Sequence, residues 1–486
     1  MTKSSIVAGG QTIGEPLSIP MLIDGKWVYD SECNAVRSPF DGSVVSYQPR
    51  STAQHLNAAL DAAVKAKTTI ANMPGFERAA LLRRVSVLLV ERAELIAEVM
   101  ARETGKAIKD ARGEVVRSQD TINLSAEEAI RIEGEHIPLD GSSMGAGKIA
   151  MMLRFPVGVI GAITPFNAPF NLACHKVGPA IAAGNSIVLK APPQAPGTVH
   201  ELARLFVDAG IPTGVLNVLY GDEVGPLLVR DPRVDFITFT GSSKVGASVK
   251  AASGLRPVAL ELGGAGQTIV HSDAALDEAA PLCARNGMRL AGQSCISVQT
   301  IYAHKDVFEA FVRKLVDTVK SMKTGNPCDE TTDVGTLIDE AAAQRVEFWV
   351  NEAIGAGARA LTGGTRDGAA YAPTVLVDVK PDMKVVCNEV FGPVISVIPY
   401  DDFDAVCATI SASPFGLQCG VFTQSLKLAI RAFRSIRTGG VIINGSSTWR
   451  TDQLAYGGVK DSGNGREGPH YAIRHMTEER LMLFNC

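Results

Sequence analysis

The chain shows two different patterns of apolar and polar residues. Between 52 and 134, apolar clusters recur every three or four residues among charged ones, as in AALLRRVSVLLVERAELIAEVMARETGKAI, and this spacing predicts amphipathic helices. From about residue 150, short runs rich in β-branched residues alternate with helical patterns. Such runs predict buried strands joined by crossover helices, which favours a parallel sheet flanked by helices.

The predicted strands fall into two series. The first comprises VGVIGAI (157–163), SIVLK (186–190), VLNVLY (215–220) and DFITFT (235–240), separated by the helical patterns PAIAAG, GTVHELARLFVDAG and EVGPLLVR. The second comprises a strand around 298–303, helices over 306–322 and 340–354, and the strands TVLVDV, VISVIPY, GVFT and GGVIIN. This order predicts an α/β protein with two α/β layers and a boundary near 255–262.

Composition places the chain among ordinary globular proteins. Its 486 residues exceed what one hydrophobic core holds and predict two or three domains. The net charge is −4 and no block of lysine and arginine occurs, so we expect no nucleic-acid partner. No stretch approaches the ~20 apolar residues of a membrane span. The N-terminal MTKSSIVAGGQTIGEPLSIP lacks the apolar core of a signal peptide, so we expect no membrane partner and a cytoplasmic location.

Cysteine and histidine usage bears on metals and disulfides. Nine cysteines are scattered without regular spacing, and no CxxC pair occurs. These features argue against a disulfide framework and against structural zinc. The eight histidines form no HxxxH or HxxEH arrangement, so no metal site is expected. A reducing compartment fits this usage.

One cysteine has an unusual setting. Cys295, in MRLAGQSCISVQ (288–299), follows small and polar residues and precedes a short β-prone run. A free cysteine is commonly an inert, buried side chain. A nucleophilic cysteine instead needs an open backbone, nearby hydrogen-bond donors and a base within reach. The local sequence permits either interpretation.

Two glycine-rich segments are candidates for a phosphate site. GNGREG (463–468) has the GxGxxG form, but the polar LAYGGVKDS precedes it where a buried strand is needed. We therefore interpret it as a loop whose backbone approaches another segment. In FTGSSKVG (239–246) a strand ends at Thr240, and Gly241 and Ser242 turn into a helix. That turn presents backbone N–H groups to a phosphate, unless it is only a tight strand–helix connection.

Four polar side chains lie at predicted strand ends. Lys190 ends SIVLK, at the edge where an open α/β sheet holds its ligand, although a simple surface lysine has the same pattern. Glu261 in VALELGGAG and Glu389 in CNEVFGPV lie among apolar residues beside glycines. Each is either a paired structural ion or a base whose pKa is raised by burial. Asn167, in ITPFNAPFN, is placed to donate to an oxyanion or to cap a turn.

Together these segments resemble the aldehyde dehydrogenase superfamily. The family's motifs occur in order as TPFN (164–167), Lys190, FTGS (239–242), LELGG (260–264), GQSC (292–295), EVFGP (389–393) and YGGVKDSGNGREG (456–468). The resemblance extends from about residue 20 to the end of the chain. It implies that the cofactor is bound through FTGS and the strand-end lysine, and not through GNGREG.

The resemblance also implies a domain plan. The family's α/β fold would place a Rossmann-like dinucleotide-binding domain at 20–134 and 151–260 and a catalytic α/β domain at 261–445. A small β oligomerisation arm would comprise 135–150 and 460–486. The implied assembly is a homodimer or a homotetramer.

Three residues would carry the chemistry that the resemblance implies. Cys295 would attack the aldehyde as a thiolate, and the Asn167 amide with the Cys295 backbone N–H would hold the negative oxygen of the thiohemiacetal. Hydride transfer to a nicotinamide would leave a thioester. Water activated by Glu261 would hydrolyse that thioester to a carboxylic acid.

The cofactor would be NAD or NADP. The implied cofactor-binding residues are Lys190, Gly241, Ser242, Glu389, Phe391, Thr164 and Pro165. Many NAD-using relatives carry a glutamate three residues after the lysine, where this chain has Pro193. A missing carboxylate removes the repulsion that would exclude a 2′-phosphate, so both nucleotides remain open.

Two arginines bear on the substrate. Arg450, in STWRTDQLAYGG, and Arg117, in GEVVRSQD, correspond to arginines of relatives that act on phosphonoacetaldehyde. Guanidinium groups suit carboxylate, sulfonate and phosphonate alike. Those relatives have an arginine and a histidine where this chain has Ser294 and Ala168. We expect a short aldehyde with an anionic or hydroxylated tail, the alternative being that both arginines form structural ion pairs.

Two rival functions have discriminating features. An aldehyde dehydrogenase that passes the thioester to CoA shares the fold, but such enzymes commonly lack the base that Glu261 would provide. A cysteine hydrolase or acyltransferase without redox chemistry needs a histidine partner, and no motif places one beside Cys295.

Overall fold

The computed structural model describes residues 15–485 and, for the backbone alone, residues 6–7 and 11–12. The expectation of a cytoplasmic location rests on the N-terminal segment, and most of that segment lies outside the described residues. Cys486 also lies outside them. The chain begins with seven short strands: β1 Ile6–Val7, β2 Gln11–Thr12, β3 Leu17–Ser18, β4 Met21–Ile23, β5 Lys26–Val28, β6 Cys33–Arg37 and β7 Val44–Pro49.

The helical interpretation of residues 52–134 is confirmed. Four helices follow the strands: α1 Ala53–Asn72, α2 Gly75–Glu91, α3 Ala93–Thr104 and α4 Ile108–Glu128. α1 buries Leu56, Leu60 and Ile70, and its N-terminus is closed by Thr52, whose side chain accepts from the backbone N–H of His55. The apolar spacing in the sequence thus marks the faces that pack inward.

The first series of predicted strands forms a seven-stranded sheet. Its elements are β8 Glu135–Ile137, β9 Lys148–Pro156, β10 Val159–Ile163, α5 Pro169–Ala183, β11 Ser186–Lys190, α6 Pro196–Asp208, β12 Leu216–Leu219, α7 Val224–Arg230, β13 Phe236–Thr240, α8 Ser243–Ala252 and β14 Val258–Glu261. All but β8 and β9 belong to this sheet or its crossovers, and the strand order is β14-β13-β10-β11-β12-β4-β5.

The strand order of this sheet reverses at β10. β11 and β12 extend to one side of β10, whereas β13 and β14 extend to the other, and all five strands are parallel. Open α/β sheets bind ligands in the crevice beyond the carboxyl ends of the strands at such a reversal. The fold therefore predicts a binding cleft beside the residues that follow β10 and β13.

The second series forms another seven-stranded sheet. Its elements are β15 Gln267–Val270, α9 Leu276–Met288, a 3₁₀ helix Arg289–Gly292, β16 Thr300–His304, α10 Phe308–Lys320, α11 Glu340–Gly355, β17 Arg359–Thr362, β18 Arg366–Asp367, β19 Ala370–Tyr371, β20 Thr374–Val377, α12 Lys384–Cys387, β21 Val394–Tyr400, α13 Phe403–Ala412, β22 Gln418–Phe422, α14 Leu426–Ser435 and β23 Gly440–Ile443. β18 and β19 form a separate antiparallel pair. The other seven strands have the order β17-β20-β21-β16-β15-β22-β23 and are parallel except for the edge pair β17 and β20.

A third sheet projects from the two large ones. After a 3₁₀ helix Lys460–Ser462 come α15 Pro469–His475 and β24 Thr477–Asn485, which pairs antiparallel with β9 from Thr477↔Pro156 to Asn485↔Lys148. β8 pairs with the other side of β9. The expected arm segments supply these three strands, with β9 continuing beyond residue 150. The full domain partition remains a prediction.

The two large sheets have separate hydrophobic cores, and they meet at one short connection. β14 ends at Glu261, at the carboxyl end of the first sheet, and β15 begins at Gln267, at the amino end of the second. Loops entering the second sheet therefore face the cleft of the first. Among the described residues, no helix combines the length and the apolar character needed to cross a membrane.

Candidate active site

Most of the predicted site residues meet at the junction of the two large sheets. A cavity of about 310 Å³ lies there. Its wall includes nine of the predicted residues: Pro165, Asn167, Gly241, Ser242, Glu261, Cys295, Glu389, Phe391 and Arg450. Thr164 and Lys190 line an adjoining cleft, and Arg117 lines neither space.

Glycines allow the loops around Cys295 to approach one another. A Cβ atom at Gly264 would lie 2.4 Å from the Cys295 carbonyl oxygen. A Cβ atom at Gly292, where φ is +72°, would lie 1.9 Å from the carbonyl oxygen of Gly392. Side chains at either position would separate the LELGG, GQSC and EVFGP segments. The small residues before Cys295 thus serve close backbone packing as well as access to the sulfur.

The Cys295 thiol lies on the cavity wall. The residue is partly exposed, whereas Cys174, Cys283 and Cys419 are buried. Its Sγ lies 3.1 Å from the Tyr456 hydroxyl. Burial by the surrounding wall raises the pKa of Cys295 to about 12, although the Tyr456 hydrogen bond acts in the opposite direction. Even with that hydrogen bond, burial thus favours the protonated thiol at neutral pH.

Asn167 lies in the connection between β10 and α5, and buried groups fix that connection. Phe170 and Asn171, at the first turn of α5, donate their backbone N–H groups to the Glu114 carboxylate at 3.0 Å each. Glu114 in turn pairs with the buried Lys106. No described residue engages the Asn167 side-chain amide, so this donor remains available at the cavity wall.

Glu261 is a buried carboxylate without a hydrogen-bond partner among the described residues. Burial, and next the negative charge of Glu467, raise the pKa of Glu261 well above its usual value, against the pull of Lys176. A Cβ atom at Gly465 would lie 2.5 Å from the Glu261 Oε1, and one at Gly463 2.0 Å from the carbonyl oxygen of Leu260. The interpretation of GNGREG as a loop packed against another segment is confirmed.

Two buried titratable groups beside Glu261 were missed in the sequence. Lys176, on the fully buried helix α5, lies with its Nζ 4.0 Å from the Glu467 Oε1 and donates to the Thr238 hydroxyl at 3.0 Å. Burial lowers the pKa of Lys176. Burial acts to raise the pKa of Glu467, but His175, Arg450 and Lys176 together hold it below its usual value. The only available signal was the glutamate within the quoted GNGREG motif.

Arg450 and Arg117 share one buried carboxylate. Arg117 donates from its Nη2 to Asp452 Oδ1 at 2.7 Å, and Arg450 lies 3.6 Å from the same oxygen. Arg450 also pairs with Glu467 at 3.3 Å and stacks 3.7 Å from the Tyr456 ring centre. Both arginines are thus in ion pairs, but Arg450 alone faces the cavity, and its buried Nε has no described partner.

The adjoining cleft lies where the strand order predicts it. It has a volume of about 540 Å³ and shares Pro165, Thr240, Gly241 and Ser242 with the active-site cavity. α8 begins at Ser243, so its N-terminus and the FTGS turn face this cleft. Between α7 and α8 the walls are apolar, from Pro226, Val229, Val245, Val249 and Ala252. Lys190 lines the same space and donates to Asp222 at 2.6 Å.

Glu389 and Phe391 line the active-site cavity. The Glu389 Oε1 accepts from the backbone N–H of Gly264 at 3.1 Å. Burial raises the pKa of Glu389 to about 7, although that hydrogen bond acts to lower it. Phe391 packs edge-on against Phe166, with ring centres 6.1 Å apart. A carboxylate and an aromatic pair thus form part of the cavity wall.

Comparison with known proteins decides the family. The aldehyde dehydrogenase family model matches residues 27–482. The chain belongs to the aldehyde dehydrogenase family. The 3-sulfolactaldehyde dehydrogenase of Priestia megaterium is 45% identical over 468 residues, which cover 96% of this chain and 98% of that protein. The lactaldehyde dehydrogenase of Methanocaldococcus jannaschii is 37% identical over 471 residues, covering 96% and 100%.

A solved structure agrees with this membership. Aldehyde dehydrogenase 21 from Physcomitrella patens, in complex with the reaction product succinate, superposes with a TM-score of 0.95. It is 38% identical, and the match covers 97% of this chain and 98% of that one. The predicted family, α/β fold and enzyme class are confirmed. This aldehyde dehydrogenase is NAD(P)-dependent and oxidises a small aldehyde to the acid.

Proposed function

We propose that this aldehyde dehydrogenase oxidises a short aldehyde that carries an anionic tail, and that Cys295, Asn167 and Glu261 perform the chemistry. The observation that carries the proposal is the cavity itself. Its small volume holds a thiol, an unpartnered carboxylate and a buried guanidinium on one wall surface. Nucleophile, base and anion-binding group thus face the same substrate.

Bond formation begins at the sulfur. The Cys295 thiolate adds to the aldehyde carbon, and the carbonyl oxygen takes up the negative charge. The backbone N–H of Cys295 and the Asn167 amide are both free of described partners and are available to donate to that oxygen. Because Glu114 fixes the start of α5, the Asn167 donor needs little rearrangement.

The cleft fits a nicotinamide dinucleotide. Its helix N-terminus suits a pyrophosphate, and its apolar slot between α7 and α8 suits a planar ring. The cleft adjoins the cavity of Cys295 along Pro165 and the FTGS turn. When bound there, the cofactor supplies the acceptor for the hydride of the aldehyde. Lys190, Gly241, Ser242, Thr164 and Pro165 would hold it, with Glu389 and Phe391 at the nicotinamide end.

Glu261 then serves hydrolysis. The acyl group leaves Cys295 when water attacks the thioester, and that water must lose a proton to a base. Glu261 is a base only when ionised, and its pKa is raised by burial. The ionised fraction therefore grows as pH rises towards that pKa, so hydrolysis quickens with pH over this range.

Replacing Glu261 with Gln separates the two half-reactions. We expect E261Q to release about one NAD(P)H per active site rapidly, followed by turnover reduced about 10²-fold or more, because acylation does not need the base. The steady-state rate should also lose its rise with pH. Rapid-mixing absorbance and steady-state pH profiles measure both. An E261Q enzyme that turns over at the wild-type rate contradicts the assignment.

The charges around the cavity favour an anionic substrate. Arg450 lies on the cavity wall and shares the Asp452 carboxylate with Arg117. Burial raises the pKa of Glu261 and lowers that of Lys176, which disfavours the charged form of both groups. The guanidinium of Arg450 is therefore the group that would bind an anionic tail.

The relatives support a short substrate with an anionic or hydroxylated tail. They are named for 3-sulfolactaldehyde and lactaldehyde, and the solved structure holds succinate. Each name describes a short chain that carries a sulfonate, a hydroxyl or a second carboxylate. A sulfonated or carboxylated aldehyde of about three or four carbons suits a cavity of this volume with the Arg450 side chain on its wall.

Arg450→Lys tests the anion site without removing its charge. The full loss of Arg450 would remove one cation from both Asp452 and Glu467, which are buried, so R450K is the sharper change. We expect the KM for 3-sulfolactaldehyde or succinate semialdehyde to rise about tenfold, and that for propanal to change less than about twofold. R117K is the matched control, because Arg117 does not line the cavity. If R450K raised the KM equally for the anionic and the neutral aldehyde, Arg450 would not be the group that binds the anionic tail.

Asp222→Asn tests the placement of the ribose. The Asp222 carboxylate lies at Lys190 in the cleft and would repel a 2′-phosphate bound there. We expect D222N to raise the kcat/KM ratio of NADP to NAD about fivefold, a modest change because the carboxylate is exposed. Calorimetry with 5′-AMP and 2′,5′-ADP provides a second readout. The control E223Q lies outside the cleft and should change neither the NADP-to-NAD ratio of kcat/KM nor the relative affinities for 2′,5′-ADP and 5′-AMP. A D222N enzyme with the wild-type ratio would contradict the placement of the ribose.

The exposed strand β24 supports assembly into a homodimer or homotetramer. It is the edge of the third sheet, and Leu481 and Phe484 are 60% and 44% exposed. An apolar edge strand is a ready surface for pairing with a second copy.

Leu481→Lys with Leu483→Lys tests that surface. Both side chains lie on one face of β24, and we expect the added charges to reduce the mass measured by light scattering to that of a smaller assembly. Leu255→Lys, at a fully exposed loop residue, is the control that should keep the wild-type mass. A double variant of wild-type mass excludes β24 as the contact.

A further inference from the structure

Tyr456 is a buried phenol in direct contact with the nucleophilic sulfur. Its side chain lines the cavity, and its hydroxyl lies 3.1 Å from the Cys295 Sγ. The backbone around it is fixed, since its carbonyl accepts from the Glu467 N–H at 2.6 Å. Only 5% of the residue is exposed. Tyr456 therefore contacts the sulfur from a loop whose backbone is held by a hydrogen bond.

A cation covers the ring of Tyr456. The Arg450 guanidinium carbon lies 3.7 Å from the ring centre and is held there by Glu467 and Asp452. Burial raises the pKa of Tyr456 well above its usual value, so the phenol keeps its proton at neutral pH. A cation against the π face withdraws electron density from the phenol and makes its O–H a stronger donor.

We propose that Tyr456 is a further catalytic residue: its hydroxyl donates to the Cys295 thiolate and raises the thiolate fraction at neutral pH, with Arg450 polarising the ring. This role rests on the proposed function of Cys295 as the nucleophile. A donor to the charged form of an acid stabilises that form.

The other charges at the sulfur show why such a donor matters. Burial disfavours the thiolate most, and Glu389 and Glu467 oppose it further, whereas Tyr456 and Arg450 favour it. Glu261 faces the phenol from the end of β14. Among these groups, Tyr456 alone contacts the sulfur by a hydrogen bond. Without the Tyr456 hydroxyl, only the more distant Arg450 guanidinium would favour the thiolate, whereas burial and the two carboxylates would still oppose it.

The hydrogen bond has a second consequence, opposite in sign. A thiolate that accepts a hydrogen bond is stabilised, so each thiolate is a weaker nucleophile than an unbonded one. Removing the hydroxyl therefore lowers the number of thiolates at neutral pH but does not lower the reactivity of each. The rate of sulfur alkylation should fall at neutral pH and reach at least the wild-type value at strongly alkaline pH.

Alkylation by iodoacetamide tests this behaviour in Tyr456→Phe. The variant removes one oxygen atom and keeps the ring under Arg450. We expect the second-order rate at neutral pH to fall about tenfold, and the midpoint of the pH profile to move to higher pH, because a hydrogen bond to a charged group is lost. Mass spectrometry of the Cys295 peptide reports the alkylation of that sulfur alone.

Tyr400→Phe is the matched control. Tyr400 is also buried, and its hydroxyl is hydrogen-bonded to His271 at 2.7 Å, outside the active-site cavity. Its pH profile should superpose on that of the wild type. The pH-dependent ultraviolet absorbance difference between wild type and C295A gives the thiolate midpoint without alkylation, and the same difference between Y456F and the double variant should show the shift.

Two results would overturn the proposal. One is a Y456F profile that superposes on the wild type, and the other is a fall of equal size at every pH, which indicates a misplaced sulfur. Failure of the proposed function appears differently, because C295A would then still oxidise the aldehyde whatever Y456F does. The two ideas are thus tested by separate variants.

Discussion

The burial of the Glu261 carboxylate between the two large sheets is the constraint on which the site depends. Both of its oxygens lack hydrogen-bond partners among the described residues, and an ionised carboxylate in such a place is costly unless charges nearby offset it. Lys176 and Arg450 supply that offset, and Glu467 opposes it. The position of this carboxylate also requires glycine beside it, because a Cβ atom at Gly465 would overlap with the Glu261 side chain.

The strands of the two large sheets were predictable because burial on both faces leaves a continuous apolar run. SIVLK forms β11 without a change of bounds, and every residue of it is buried. β9 was not predicted, since KIAMMLRFP lies in a thin surface sheet and shows neither a continuous run nor a regular alternation of burial. Its partner β24 is exposed along nearly its whole length, so the two strands depend on each other and not on a core.

The site residues divide by the kind of signal they leave. Cys295, Glu261 and Glu389 stand in loops marked by glycine and proline, so local sequence singles them out. Lys176 lies within a helix whose residues are all buried, and nothing in its neighbours distinguishes a lysine aimed at a carboxylate from one at the surface. Arg117 shows the converse, because its helix face is near the site but its charge is directed to Asp452. Such pairings arise only from tertiary proximity.

Arg450 links substrate recognition to the state of the nucleophile. In the free protein its charge lies on the Tyr456 ring and strengthens the phenol as a donor to Cys295. An anionic tail bound at Arg450 would offset part of that charge, so the phenol would become a weaker donor as the aldehyde binds. Fewer Cys295 thiolates would then be present once the tail is bound, but each would be a stronger nucleophile than in the free protein. A neutral aldehyde of equal length would leave the Arg450 charge and the Tyr456 donor as they are, so only an anionic substrate would change the state of the sulfur.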